Sequence, residues 1–306
     1  MLAELGPRGM FVAGGTDVFP NLKRRQFEPE VLIQVPSLRG IESRDGGIRV
    51  GATTTLSEAS SSGALRQALP GFAEAAGLVS SPPLRNAGTI GGNLCVDTRC
   101  NYYNQSYEWR KSIGFCIKKD GVICLVAPSS RRCWAVSSSD TAPIALILDA
   151  TAGLAGPEGV REIPLAALYR DDGIEYLAKR PEEVLTWVHF PVAAGMRSAY
   201  VKLRRRGSID FPIAGAAVVL HLDGDIVVSC RIALSAVASH PLEVRAAGEF
   251  LSGRRLDQET IEAAVEIAAK PAKPLDNTDL THVWRKRMVR VVVAEALRRA
   301  ATKIQD

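Results

Sequence analysis

Apolar positions follow two rhythms along this chain, and the change between them falls near residue 195. Met10–Ala13 is apolar and strand-like and runs into Gly14-Gly15-Thr16-Asp17. Residues 31–35 (VLIQV) read as a buried strand, and Ile48–Ala52 as another that closes the first unit. Leu56–Leu69, with Ser57 and Ser60 near its start and Pro70-Gly71 after it, fits a short capped helix. Phe72–Val79 predicts a second helix, stopped by Pro82-Pro83. Thr141–Leu148 predicts a helix or a helix-to-strand join, and residues 182–190 and 199–204 predict strands. Ala214–Leu222 and Ile226–Leu234, joined by Asp-Gly-Asp, form a strong hairpin signal. Beyond it the spacing becomes helical over 242–252, 257–269 and 280–301, with a proline-punctuated break at 270–274. Two domains follow, 1–195 and 196–306. Residues 95–137 fit neither rhythm and read as an insertion into the first.

Composition narrows the class. A chain of 306 residues with 46% hydrophobic and 23% charged residues is of ordinary globular type. Its longest apolar run, 142–156, is interrupted by Asp149 and falls short of the roughly 20 residues that cross a bilayer. No basic and apolar leader opens the sequence, so a cytoplasmic location without membrane attachment is expected. A net charge of +5 gives little reason to expect a nucleic-acid partner. Between Arg99 and Cys133, however, seven Lys/Arg face only Glu108 and Asp120, a local excess of +5. A basic surface there would suit an acidic protein partner.

Two features carry candidate chemistry. Paired glycines let backbone N–H groups approach a phosphate closely, and both Ala13-Gly14-Gly15-Thr16-Asp17 and Thr89-Ile90-Gly91-Gly92-Asn93 have the form. Neither matches the dinucleotide or Walker patterns, and each alone is compatible with a simple tight turn. Together they could grip the two phosphates of one dinucleotide. The insertion holds Cys100, Cys116, Cys124 and Cys133, enough thiolates for a closed iron–sulfur or zinc site. There is no CxxC knuckle to choose between metals, and buried free thiols are the plain alternative. Cys95 is either a spare ligand or a packing residue, and Cys230 lies in an apolar strand pattern.

The segments AGGTD at 13–17, TIGGN at 89–93, SSDTAPIALILDA at 138–150 and YVKLRRRGSIDFPIAGAAVV at 200–219 resemble the FAD-binding subunits of the xanthine oxidase (molybdenum hydroxylase) family. The C-terminal helical stretch is similar as well, so the likeness spans the chain. It implies an α+β protein: a two-part FAD-binding domain of the vanillyl-alcohol-oxidase/PCMH type, then an α+β domain of a sheet and helices. It implies that Ala13–Asp17 and Thr89–Asn93 wrap the FAD pyrophosphate through backbone donors. Asp140 would accept from the sugar or ribityl hydroxyls, and Leu185 and Lys202 would lie near the isoalloxazine. On the residues alone, Asp140 is equally a helix N-cap and Lys202 a solvated strand lysine.

Most members of that family run almost directly from TIGGN to the Ser-Asp motif. An insertion at this point with this cysteine spacing resembles the β subunits of 4-hydroxybenzoyl-CoA reductases. That likeness implies a [4Fe-4S] cluster on Cys100, Cys116, Cys124 and Cys133. It also implies a molybdopterin-binding large subunit, a [2Fe-2S] small subunit, and ferredoxin as the electron donor; the basic charge around Lys118 and Lys119 would suit the docking of that acidic partner, or would simply offset the cluster's thiolates. Other readings from the sequence are an FAD subunit of an aromatic or N-heterocycle hydroxylase working oxidatively, and a zinc-bearing scaffold subunit. Family members usually carry one more strand and helix before the first glycine turn, so either the first unit is truncated here or the start is assigned too far downstream.

Overall fold

The computed structural model describes residues 2–277 and 280–302. Strand β1 (Gly9–Val12) pairs in parallel with β2 (Val31–Gln34), and helix Val18–Lys23 crosses between them. The expected strand at 31–35 is present but is not buried: Val31 and Leu32 are exposed, and Val35, just past its end, is buried. A five-stranded antiparallel sheet follows, made of β3 (Ile41–Arg44), β4 (Gly47–Gly51), β5 (Thr151–Gly156), β6 (Gly159–Pro164) and β7 (Val184–Pro191), in the order β3-β4-β7-β5-β6.

Helices packed on this sheet build the first core. The single helix expected over 56–69 is two, Leu56–Ser61 and Gly63–Ala68. Thr55 and Glu58 form a capping box on the first. Ser62 leaves the helical region and caps the second by accepting from the Leu65 N–H. The helix expected to run to Pro82-Pro83 ends earlier, at Leu78, where Val79 turns extended and Ser80 takes φ +46°, and Pro82-Pro83 instead opens the next helix, Pro82–Ala87, where the missing proline N–H costs nothing.

The C-terminal sheet holds β8 (Arg197–Leu203), β9 (Ala214–Asp223), β10 (Ile226–Ser235) and the short β11 (Leu242–Glu243), all antiparallel in the order β11-β10-β9-β8. Alternation along its strands divides side chains between two cores. Ala214, Ala216, Val218 and Leu220 face helices Arg245–Leu251, Gln258–Ala269 and His282–Ala301, whereas Ala217 and Val219 face the first core. Tyr200 and Ala233 repeat the division on β8 and β10. The sheet is therefore a shared wall between the two domains. Helix Pro70–Leu78 lies so close to β8 that a Cβ on Gly71 would stand 2.9 Å from the Ala199 nitrogen.

The insertion is closed at its base by two backbone hydrogen bonds of 2.8 Å between Arg99 and Val136. It carries one short helix, Tyr107–Ser112, capped by Ser106. Arg110 from that helix is buried and donates to the carbonyls of Arg24 (2.7 Å) and Arg25 (3.0 Å), while Gln26 Nε2 donates to Tyr103 O. The insertion is thus fastened to the end of helix Val18–Lys23.

Candidate functional site

The first glycine turn joins β1 to helix Val18–Lys23. Gly15 is buried with φ +70°, a conformation that favours glycine. Among the described residues, the amides of Gly14, Gly15, Thr16 and Asp17 donate to no protein acceptor. Successive free N–H groups around a left-handed residue form a concave anion cradle. Gly14 is required for a second reason: a Cβ there would stand 1.9 Å from Ala87 O and 3.1 Å from Gly88 Cα. The first turn rests directly on the backbone that leads into the second, so the two glycine motifs are neighbours.

The second turn uses its donors differently. Ile90 N donates to Thr54 O, Gly91 N to Ala52 O, Gly92 N to Thr89 Oγ1 and Asn93 N to Thr89 O. Gly91 allows close packing, since a Cβ would meet Ala52 Cβ at 2.8 Å and Leu185 Cδ2 at 3.2 Å. The Asn93 carboxamide oxygen accepts from Ser139 Oγ, Thr141 N and Thr141 Oγ1. This turn is the bed under the first and the tie to the segment at 138–141. The backbone donors expected of 90–93 are engaged within the chain, because the turn pairs with 52–55 and winds into a short helix.

Asp140 caps no helix; Ser139 Oγ does, accepting from Ala142 N at 3.0 Å. The Asp140 carboxylate instead receives Tyr200 OH at 2.8 Å on one oxygen and Lys202 Nζ at 2.8 Å on the other. Lys202 is no solvated strand lysine: its side chain is 1% exposed, that of Asp140 3%, and its ammonium also donates to Leu78 O at 3.0 Å. Burial pushes the Asp140 carboxyl above its ordinary range, against the pull of Lys202. Gly215 makes room for this group, since a Cβ there would stand 2.6 Å from Tyr200 OH. Two residues expected at different parts of a flavin form one buried ion pair across the domain boundary.

Cys100, Cys116, Cys124 and Cys133 line one hollow, together with Tyr103, Leu125, Val126 and Lys118. All are free thiols, and Cys116, Cys124 and Cys133 are buried. Burial pushes the thiols of Cys100 and Cys133 up to about 11. Cys95 is outside this group and packs against the first core; Cys230 belongs to the second. Among the described residues, no three Cys, His, Asp or Glu side chains are close enough to share one metal ion.

The insertion's cations do not form the expected basic surface. Lys118, whose side chain is 5% exposed, donates to Asp97 Oδ1 (2.7 Å), Thr98 Oγ1 (2.5 Å) and Gly173 O (2.6 Å). Arg110 is buried, Arg99 pairs with Asp17, Lys119 with Glu28 and Asp120, and Arg132 with Asp171. Five of the seven cations are thus engaged by carboxylates or carbonyls, and of the seven only Lys111 and Arg131 stand exposed. Sequence reasoning counted Arg99 only as part of that charge, although it bridges the insertion to the first turn.

Residues 1–193 match the family described as the FAD binding domain in molybdopterin dehydrogenase, and residues 198–300 the CO dehydrogenase flavoprotein C-terminal domain. The chain is 29% identical to a carbon monoxide dehydrogenase medium chain of Afipia carboxidovorans, over 100% of this chain and 93% of the relative. It is 31% identical to the aldehyde oxidoreductase FAD-binding subunit PaoB of Escherichia coli, over 96% and 93%. The crystal structure of carbon monoxide dehydrogenase from Hydrogenophaga pseudoflava which lacks the Mo-pyranopterin moiety superimposes with a TM-score of 0.80 at 29% identity, covering 98% of this chain and 91% of that one.

Proposed function

Because the chain belongs to the FAD-binding subunits of the xanthine oxidase and CO dehydrogenase family, we propose that it relays electrons between FAD and an iron–sulfur cluster seated in its own insertion. The observation that carries this reading is the convergence of Cys100, Cys116, Cys124 and Cys133, spread over one irregular insertion, on one hollow without a disulfide.

Four thiols on one hollow suit a zinc ion as well as an iron–sulfur cluster. The likeness of the insertion to that of 4-hydroxybenzoyl-CoA reductase β subunits favours the cluster, and a zinc-bearing scaffold subunit is the alternative that metal analysis separates from it.

FAD would be held with its diphosphate against the free amides of Gly14–Asp17, Thr89–Asn93 forming the bed and Leu185 packing beside it. Flavin, once bound, exchanges electrons singly or in pairs. The chain's own part is to fix the cofactor close to the insertion. The Asp140–Lys202 pair ties the Ser-Asp motif to β8, and on this reading Asp140 also accepts from the flavin's sugar or ribityl hydroxyls while Lys202 stands near the isoalloxazine.

The partners on this reading are a molybdopterin-binding large subunit and a [2Fe-2S] small subunit, in a cytoplasmic complex that keeps the thiols reduced. For the overall reaction, the insertion supports the 4-hydroxybenzoyl-CoA reductase type, with ferredoxin as donor. The names of the relatives favour the second reading, oxidation of a small substrate in the manner of a carbon monoxide dehydrogenase or aldehyde oxidoreductase. The inward use of Lys118 removes the electrostatic argument for ferredoxin docking there.

The test is anaerobic purification of the complex with iron, sulfide and flavin analysis. Four irons and four sulfides beyond those of the small subunit, lost in Cys124→Ser with FAD retained, are expected. A colourless insertion that still folds would refute the cluster.

A further inference from the structure

Arg99 stands where the insertion begins, one residue before Cys100, and its guanidinium crosses to the first glycine turn. There it pairs with the Asp17 carboxylate, which also accepts from Asn21 Nδ2 at 3.1 Å. The guanidinium stacks on the Phe211 ring at 4.0 Å, so the C-terminal domain covers its other face. Only 14% of the side chain is exposed, and its Nε–H is buried with no acceptor in the protein. A buried donor left unpaired is costly, and a guanidinium offers five N–H groups of which Asp17 occupies only part.

The carboxylate it holds belongs to the same turn whose amides at 14–17 lack acceptors. An anion in that cradle would lie beside the negative Asp17, an arrangement that needs a fixed cation. Arg99 is that cation. Its planar fork suits two oxyanions at once, the carboxylate and a phosphate oxygen.

Resting on the FAD reading, we propose that Arg99 is a direct contact for the FAD diphosphate, contributed by the insertion to the cradle at Gly14–Asp17. The insertion then completes the flavin site as well as housing thiols, and occupancy of the cradle is coupled to the placement of Cys100.

The test is a fluorescence titration of the deflavinated complex with FAD and, separately, with riboflavin, which lacks the phosphates. Arg99→Gln should weaken FAD roughly 10- to 100-fold, the worth of one charge-assisted hydrogen bond, while riboflavin binding stays within about 2-fold. Arg99→Lys should recover part of the loss, and Asp17→Asn, which leaves the whole guanidinium to the phosphates, should bind FAD at least as tightly as wild type. Unchanged FAD affinity in Arg99→Gln overturns the proposal while leaving the FAD site intact, and so does an equal loss for both ligands, which marks a purely structural bridge. If Arg99→Gln does not assemble, Asp17→Asn decides: an FAD affinity reduced 10-fold or more refutes the arrangement. Wild-type complex that binds no FAD would sink the underlying reading itself.

Discussion

Removing the Lys202 ammonium is the most informative single perturbation of this fold. Its partner Asp140 lies 2.8 Å away, both side chains are almost wholly buried, and the pair joins the segment after the insertion to β8. Lys202→Met keeps the length and apolar stem of the side chain but strands the carboxylate with one donor, Tyr200 OH. Leu78 O loses a donor too, keeping Arg204 at 3.3 Å. Stranding a buried charge costs about 3–5 kcal/mol, whereas replacing both partners of such a pair costs little or nothing. Urea unfolding of the purified chain, followed by tryptophan fluorescence and circular dichroism, should show a loss of about 3 kcal/mol or more for Lys202→Met. Asp140→Asn/Lys202→Met should recover at least half of it, a coupling of about 2 kcal/mol.

The sign of the pH dependence is fixed as well. Burial already raises the Asp140 carboxyl above 3.8 in the native protein, and without Lys202 only the Tyr200 hydrogen bond and the Arg204 charge oppose that rise. A carboxyl whose folded pKa is raised weakens the fold as pH climbs above its unfolded value. The Lys202→Met deficit should therefore shrink as pH falls from 7 towards 4. A deficit under about 1 kcal/mol, or a double variant no better than the single one, would show that the pair does not hold the domains together.

Glu183 accepts from Arg161 at 2.6 and 2.8 Å and from the Arg180 amide at 2.6 Å, which together hold its carboxyl down at about 2. The resulting stability, of order 2 kcal/mol after allowing for the half-exposed Arg161, is complete above pH 4.5 and lost as pH falls through 2. Wild type and Glu183→Gln should thus differ in urea midpoint at pH 7 and converge at pH 2–3; parallel curves would refute the assignment. Gly14→Ala drives a methyl into Ala87 O and should cost about 1–3 kcal/mol and most of the bound FAD. A Gly14→Ala complex with full flavin content would show that the two turns need not touch.

Much of this architecture was legible because burial on one or both faces writes a period into the chain. The hairpin 214–235 and the three C-terminal helices follow from it directly, helped by cap residues such as Asp257 and Thr281. The missed strands β3, β5 and β6 had no such signature. In β6 the residues are almost all exposed, and in β5 the sequence TAGLAG is short and small because Trp187 lies over Gly153. The glycine turns were visible as a pair, but not that one provides free amides and the other gives its own to the chain. That difference depends on pairing with residues 52–55, some 35 positions away. Nor could a local reading see Asp140 and Lys202 as partners, since each has an ordinary explanation in its own segment.

The insertion shows why local charge predicted a surface that is not there. An irregular segment folded against a protein covers carbonyls of the neighbouring backbone, and each one it buries needs a donor. Lysine and arginine supply several N–H groups on long stems that reach across a loop. Arg110 takes the carbonyls of Arg24 and Arg25, Lys118 that of Gly173, and Arg132 that of Asp171. Their positive charge is then balanced by nearby carboxylates, Asp97 for Lys118 and Asp171 for Arg132. A high density of cations in a stretch without periodicity is thus as much the mark of a loop fastened down by its side chains as of a docking face. The two are separated by the company the cations keep: Asp17, Glu28, Asp97 and Asp171 all lie outside residues 99–133, so a count of charge over that stretch does not include them.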